Sequence, residues 1–170
     1  MRLIKLAVAG VTAGALGTLA MDILWFRRYR RGGGAETFAQ WEFAEDTTSW
    51  ETVSAPGEVG EKVLTTVLRK TPPDCWARTA TNVVHWGTGT SWGVAYAMAR
   101  AFLPRPIVVA VALGPVAWIA SYVVLPMMGV YRPIWTYDAA TLMKDFSAHL
   151  VFGATTATAF AAVTRRATRA

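Results

Sequence analysis

The chain has two histidines, His85 and His149, and each lies in a stretch otherwise rich in small and apolar residues. Asp22 lies in a similar stretch, and Asp145 stands one helical turn before His149. Imidazole and carboxylate in apolar surroundings admit three kinds of chemistry. They can hydrogen-bond between helices and fix the register, at about 0.6 kcal/mol each. They can take up and release protons, because buried ionisable groups in membranes often mark relays or sensors and histidine titrates near neutral pH. They can also bind a metal, with His85 and His149 ligating a haem iron or, with Asp22, a divalent ion. All three readings stay open at this stage. Nucleophilic catalysis has no support, since no Gly-x-Ser-x-Gly, His-Glu-x-x-His or phosphate-loop pattern occurs. The expectation is a protein that is not an enzyme and has no assigned cofactor.

These groups need elements to position them, and the composition says which. Of 170 residues, 54% are hydrophobic and 16% charged, with a net charge of +6. Soluble domains carry about 25% charged residues, so the deficit points to a membrane. Four stretches read as spans: about 6–26, 79–99, 107–128 and 145–164. Each approaches the ~20 residues that cross ~30 Å of hydrocarbon. A rival reading of the first as a signal peptide, cut near Thr18 or Ala20, is opposed by the continuing Ile23-Leu24-Trp25-Phe26 and the arginines after it. The expected fold is an all-α four-helix transmembrane bundle in one membrane domain.

Each span carries a stripe of small residues at helical spacing. The first has Gly10, Gly14, Thr18 and Asp22; the second His85, Gly89, Gly93 and Ala97. The third has Ala110, Gly114, Ala117 and Ser121; the fourth Asp145, His149, Gly153, Ala157 and Ala161. Residues three or four apart share a face, and small faces let membrane helices approach closely. Gly10, Gly14, Gly89, Gly93, Gly114 and Gly153 are therefore the expected packing positions. Counting from Lys5, Arg100, Arg105 and Arg165, the polar residues Asp22, His85, Ser121 and His149 lie 17, 15, 16 and 16 residues in. At ~1.5 Å per residue that is one layer roughly 22–26 Å deep, with Asp145 one turn further out. Pro115, after Gly114, is expected to kink the third span.

The segment of about 27–78 is the one sizeable part outside the spans. Gly32-Gly33-Gly34 opens it, and Phe38, Trp41, Phe43 and Trp50 alternate with Glu36, Glu42, Glu45, Asp46 and Glu51. Ser54-Ala55-Pro56 reads as a helix start. Val59, Val63 and Val67 then recur every fourth residue until Thr71-Pro72-Pro73, an amphipathic helix lying on the bilayer or capping the bundle. Tryptophan and acid with few lysines make a poor phosphate-binding surface, which excludes nucleic acid. Trp25, Trp76, Trp86, Tyr131, Trp135 and Tyr137 read as interfacial anchors, and Cys75 as an unpaired surface thiol. The partners to expect are the lipid bilayer and a second membrane protein or copy of this chain.

The second and fourth spans also align at a fixed offset of 64 residues. His85/His149, Gly89/Gly153, Tyr96/Phe160 and Asp74/Asp138 all match, which would make the chain a tandem repeat of two helix pairs. One face holds Arg2, Lys5, Arg100, Arg105, Arg165, Arg166 and Arg169 and no acid, while the other holds Arg27, Arg28, Arg30 and Arg31 with all the acidic loop residues. Cations near the spans are comparable in number and acids count little; the reading taken is that both termini are cytoplasmic.

The blocks His85-Trp86-Gly87, Ser121-Tyr122-Val123-Val124-Leu125-Pro126-Met127-Met128-Gly129 and Pro133-Ile134-Trp135, with His149 before an arginine-rich end, resemble the YagU-like bacterial inner-membrane proteins. The likeness covers roughly residues 80–166, and Leu-Pro-Met-Met-Gly followed by Pro-x-Trp is its most specific piece. It implies an inner-membrane location with cytoplasmic termini, a molecular activity that is not defined, and a connection with acid tolerance. It assigns no catalytic residues.

Overall fold

The computed structural model describes residues 3–103 and 105–167, the side chains of 166 and 167 excepted. Arg2, Arg169 and the side chain of Arg166, used above as flanks, lie outside the described residues. The described residues form helices joined by turns and contain no strand. Helix α1 spans Leu3–Arg31, α2 Phe38–Glu42, α3 Ala55–Leu68, α4 Ala77–Phe102, α5 Pro106–Met127 and α6 Ala139–Ala167. Short 3-10 turns at Trp50–Thr52, Asp74–Trp76 and Ile134–Thr136 join them.

Three helices, α1, α5 and α6, are long and apolar enough to cross a membrane. Their large apolar side chains point outward: Val8, Val11, Ile107, Val111, Ile119 and Leu150 are all exposed. In water such surfaces would be an aggregation hazard; in hydrocarbon they are solvated. This is a helical membrane protein. Helix α4 has the length, 26 residues, but its threonines, Arg78, Asn82 and His85 dilute its apolar character.

The chain gathers into two compact units rather than a single set of contacts. The first comprises residues up to Trp25, Thr88–Ala120 and the chain from Asp138; the second Phe26–Gly87 and Ser121–Tyr137. In the first unit, α1 and α4 touch through backbone. A Cβ on Gly10 would lie 2.8 Å from the Gly93 carbonyl oxygen, and one on Gly14 2.5 Å from that of Gly89. Helices α5 and α6 meet the same way, since a Cβ on Gly114 would lie 2.5 Å from His149 O and one on Gly153 2.5 Å from Gly114 N. Around these crossings pack Leu6, Ala13, Tyr96, Leu113, Phe152 and Phe160. Helix α5 stays helical across Pro115.

Helix α6 starts six residues before the expected span because Asp138 caps it. The Thr141 amide donates to Asp138 Oδ1 at 2.9 Å and its hydroxyl to Oδ2 at 2.7 Å. These bonds, the hydroxyl's first, hold the exposed Asp138 carboxyl below the usual carboxylate range. A carboxyl whose pKa is lower folded than unfolded stabilises the fold above its unfolded pKa of about 3.9 and loses that effect as pH falls through the folded value. Asp138→Ala is therefore expected to lower the unfolding temperature at pH 7. Unfolding curves at pH 7 and pH 3 check this, because the gap between wild type and variant should narrow as pH falls below the unfolded pKa.

In the second unit, α3 lays Gly57 and Gly60 against Thr81 and Ala80 of α4, turning Val63 and Val67 outward. Trp50 is buried, and its indole donates to the Pro72 and Pro73 carbonyls at 2.9 and 3.2 Å. Tyr131 and Tyr137, expected as interfacial anchors, pack on Tyr122 with ring centroids 5.6 Å away in each case. Trp135 alone of that trio stays open, at 82% exposure. Cys75 is a free, exposed thiol, as the sequence suggests.

Candidate functional site

Five residues define the polar layer expected from sequence, and they fall in both units. Asp22, Asp145 and His149 belong to the first, His85 and Ser121 to the second. Asp22 is buried on α1, one turn beyond Thr18, whose hydroxyl donates to the Gly14 carbonyl at 3.0 Å. Ser121 is half-buried on α5.

Within the first unit the structure brings Asp145 and His149 together. They are a turn apart on α6, so their side chains share a face. His149 Nδ1 lies 3.5 Å from Asp145 Oδ1 and 3.0 Å from the Asp145 carbonyl oxygen. A proton on Nδ1 is thus shared between two acceptors of the same residue, and Nε2 is the nitrogen left for other exchange. Asp145 Oδ2 is buried with no hydrogen-bond partner among the described residues. Gly114 brings α5 onto the His149 backbone, and Trp118 stacks edge-on against Phe146 at 5.1 Å. The crossing shields the pair from one side with apolar groups.

The second unit holds a pair that the sequence reading missed. Its carboxylate is Glu42, the last residue of α2, whose side chain is only 2% exposed and approaches His85 Nε2 to 4.0 Å. Several contacts set it there. Thr37 and Gln40 close a capping box that starts the five-residue helix. Phe38 and Trp41 pack against Phe26 at the end of α1, with centroids 5.2 and 5.7 Å away. From α4, Arg78 Nε and Asn82 Nδ2 donate to the Phe43 carbonyl at 3.1 and 3.0 Å, and Arg78 Nη2 reaches Glu45 at 3.7 Å. Arg78, Asn82 and His85 follow helical spacing on one face of α4. That face is a receptor for the end of α2.

Ala44, between Phe43 and Glu45, has φ of +47°, a left-handed conformation that costs an L-residue about 1–2 kcal/mol. Ala44→Gly should stabilise this turn by roughly 0.5–1 kcal/mol after the added freedom of the unfolded glycine. Slower protease cleavage of the 32–76 segment checks it.

The arrangement can exchange protons at two acid–imidazole pairs. Glu42 and His85 are also ligand types that a divalent transition metal accepts. Fold and site together define a helical membrane protein with both histidines against carboxylates. Comparison with protein-family models, curated proteins and solved structures gives no match.

Proposed function

We propose that the chain is a four-span bacterial inner-membrane protein without enzymatic activity, whose acid–histidine pairs bind protons in envelope or acid-stress physiology. One observation carries this reading: the chain has two histidines, and each lies within 4.0 Å of a carboxylate in poorly exposed surroundings. Protonating either imidazole turns a dipolar contact into an ion pair where water is scarce, so the charge change acts on packing. The YagU-like resemblance adds the link to acid tolerance and the cytoplasmic termini.

The reading includes α4 as a fourth span and a tandem arrangement of α1–α4 and α5–α6. Gly89 receives Gly14 of α1, and Gly153, 64 residues on, receives Gly114 of α5. Tyr96 and Phe160, matched at the same offset, touch each other edge-on at 5.5 Å. Equivalent residues meet where a two-fold axis passes, which supports a pseudo-two-fold between the pairs.

The test is acid survival of a strain lacking the chain, complemented with wild type or with His85→Ala/His149→Ala. Loss of rescue is the expected result; equal rescue at equal protein level would overturn the proton reading. The proposal assigns no cofactor, so a Soret band or stoichiometric metal in the purified protein would overturn that part. A second reading, as an assembly subunit of a membrane complex, is favoured by exposed Trp76 and Trp135. Purification in mild detergent that yields this chain alone counts against it.

A further inference from the structure

Helix α3 and the end of α5 enclose a shallow groove of about 350 Å³ lined by Lys62, Val63, Thr66, Val67 and Met128. Three of the five are apolar, and its single charged side chain is a cation. The Thr66 hydroxyl donates back to the Lys62 carbonyl at 2.8 Å, which leaves its oxygen lone pairs available. Gly129 adopts φ of +67° beside the Lys62 ammonium, with Nζ 3.9 Å from where a Cβ would stand. No carboxylate lines the groove.

Depth narrows the occupant. Met127 ends α5, a helix long and apolar enough to cross a membrane, so the groove opens where hydrocarbon gives way to headgroups. Val67 and Met127 are 72% and 82% exposed beside it. A ligand fitted to that place has a hydrocarbon chain on one side and an anionic group at the boundary. We propose that this groove binds an anionic phospholipid, with Lys62 on the phosphate and Val63, Val67 and Met128 along the acyl chain. The site rests on the membrane reading of the chain.

Full-length protein is reconstituted in vesicles of equal phosphatidylglycerol and phosphatidylcholine, floated, extracted in mild detergent, and its retained lipid quantified by mass spectrometry. Wild type should retain phosphatidylglycerol over phosphatidylcholine, and Lys62→Glu should cut that preference about five-fold or more, the scale of one cation at an anionic surface. Val67→Asp should lower retention of both lipids. Lys62, Val63 and Val67 are exposed, so circular dichroism should match wild type. Three results overturn the site: equal retention of the two lipids by wild type, an unchanged preference in Lys62→Glu, or an equal loss in Lys70→Glu, which would make the effect surface charge in general. Failure to float with vesicles at all would instead overturn the membrane reading.

Discussion

Trp50→Ala is expected to destabilise the second unit by about 3–5 kcal/mol, the range for removing a large buried aromatic side chain. Trp50 is buried and ties the segment shut through the Pro72 and Pro73 carbonyls. Its own amide donates to Asp74 Oδ1 at 3.3 Å. Those carbonyls precede the Asp74–Trp76 turn that leads into α4, so the indole ties the loop to the start of that helix. Proteolysis of the 32–76 segment reads the effect, because cleavage follows the population of the opened form. At 1.4 kcal/mol per decade, cleavage should accelerate about 100-fold or more. Trp50→Phe keeps most of the burial and loses only the indole N–H, so it should cost about 1–2 kcal/mol. Equal effects from Ala and Phe would show that the hydrogen bonds, and not the packing, hold the segment.

Gly93→Leu should be as damaging in the first unit. A Cβ on Gly93 would stand 2.6 Å from both the Cα and the amide nitrogen of Gly14. Backbone atoms inside a helix cannot rotate away as a side-chain end can, so α1 and α4 must separate. Overpacking typically costs about 1–3 kcal/mol; alanine should fall in that range and leucine above it. Gly87→Ala is the control. Nothing lies within 4 Å of its Cβ, so it should be neutral or gain up to about 1 kcal/mol of helix propensity. Denaturation with sodium dodecyl sulfate in mixed micelles, followed by circular dichroism, separates the three. A Gly93→Ala variant as stable as Gly87→Ala would refute backbone contact between the helices.

The elements with strong periodicity were legible in the chain itself. Long apolar runs located α1 and α5, weaker runs rich in glycine, threonine and alanine located α4 and α6, and Ser54-Ala55-Pro56 with valines every fourth residue located α3. Helix ends were harder, because composition marks hydrocarbon and not hydrogen bonding. Helix α1 continues through its arginines to Arg31, since nothing before the three glycines interrupts it. Helix α2 was invisible: five residues are too few for a period to show. With α2 went Glu42, which reads as one of many solvated acids. Its burial is decided by Arg78, Asn82 and His85, more than 30 residues further on. The available signal was that these three polar side chains share one face of a helix otherwise rich in small residues. Asp145 and His149 were legible as a pair because both lie on one helix a turn apart.

The pairing of α1 with α4 has a consequence for how the protein is made. Synthesis adds about 5–20 residues per second, so the segment from Gly32 to Trp76 takes several seconds to make between α1 and α4. For several seconds the face bearing Gly10 and Gly14 has lipid or the insertion machinery as its neighbour, with Asp22 on the same helix. Helices α5 and α6 meet through Gly114 and Gly153, 39 residues apart, about half the separation of Gly14 and Gly89. The packing of α4 on α1 therefore closes a longer stretch of chain than that of α6 on α5, and the segment that holds α2 and Trp50 sets its length.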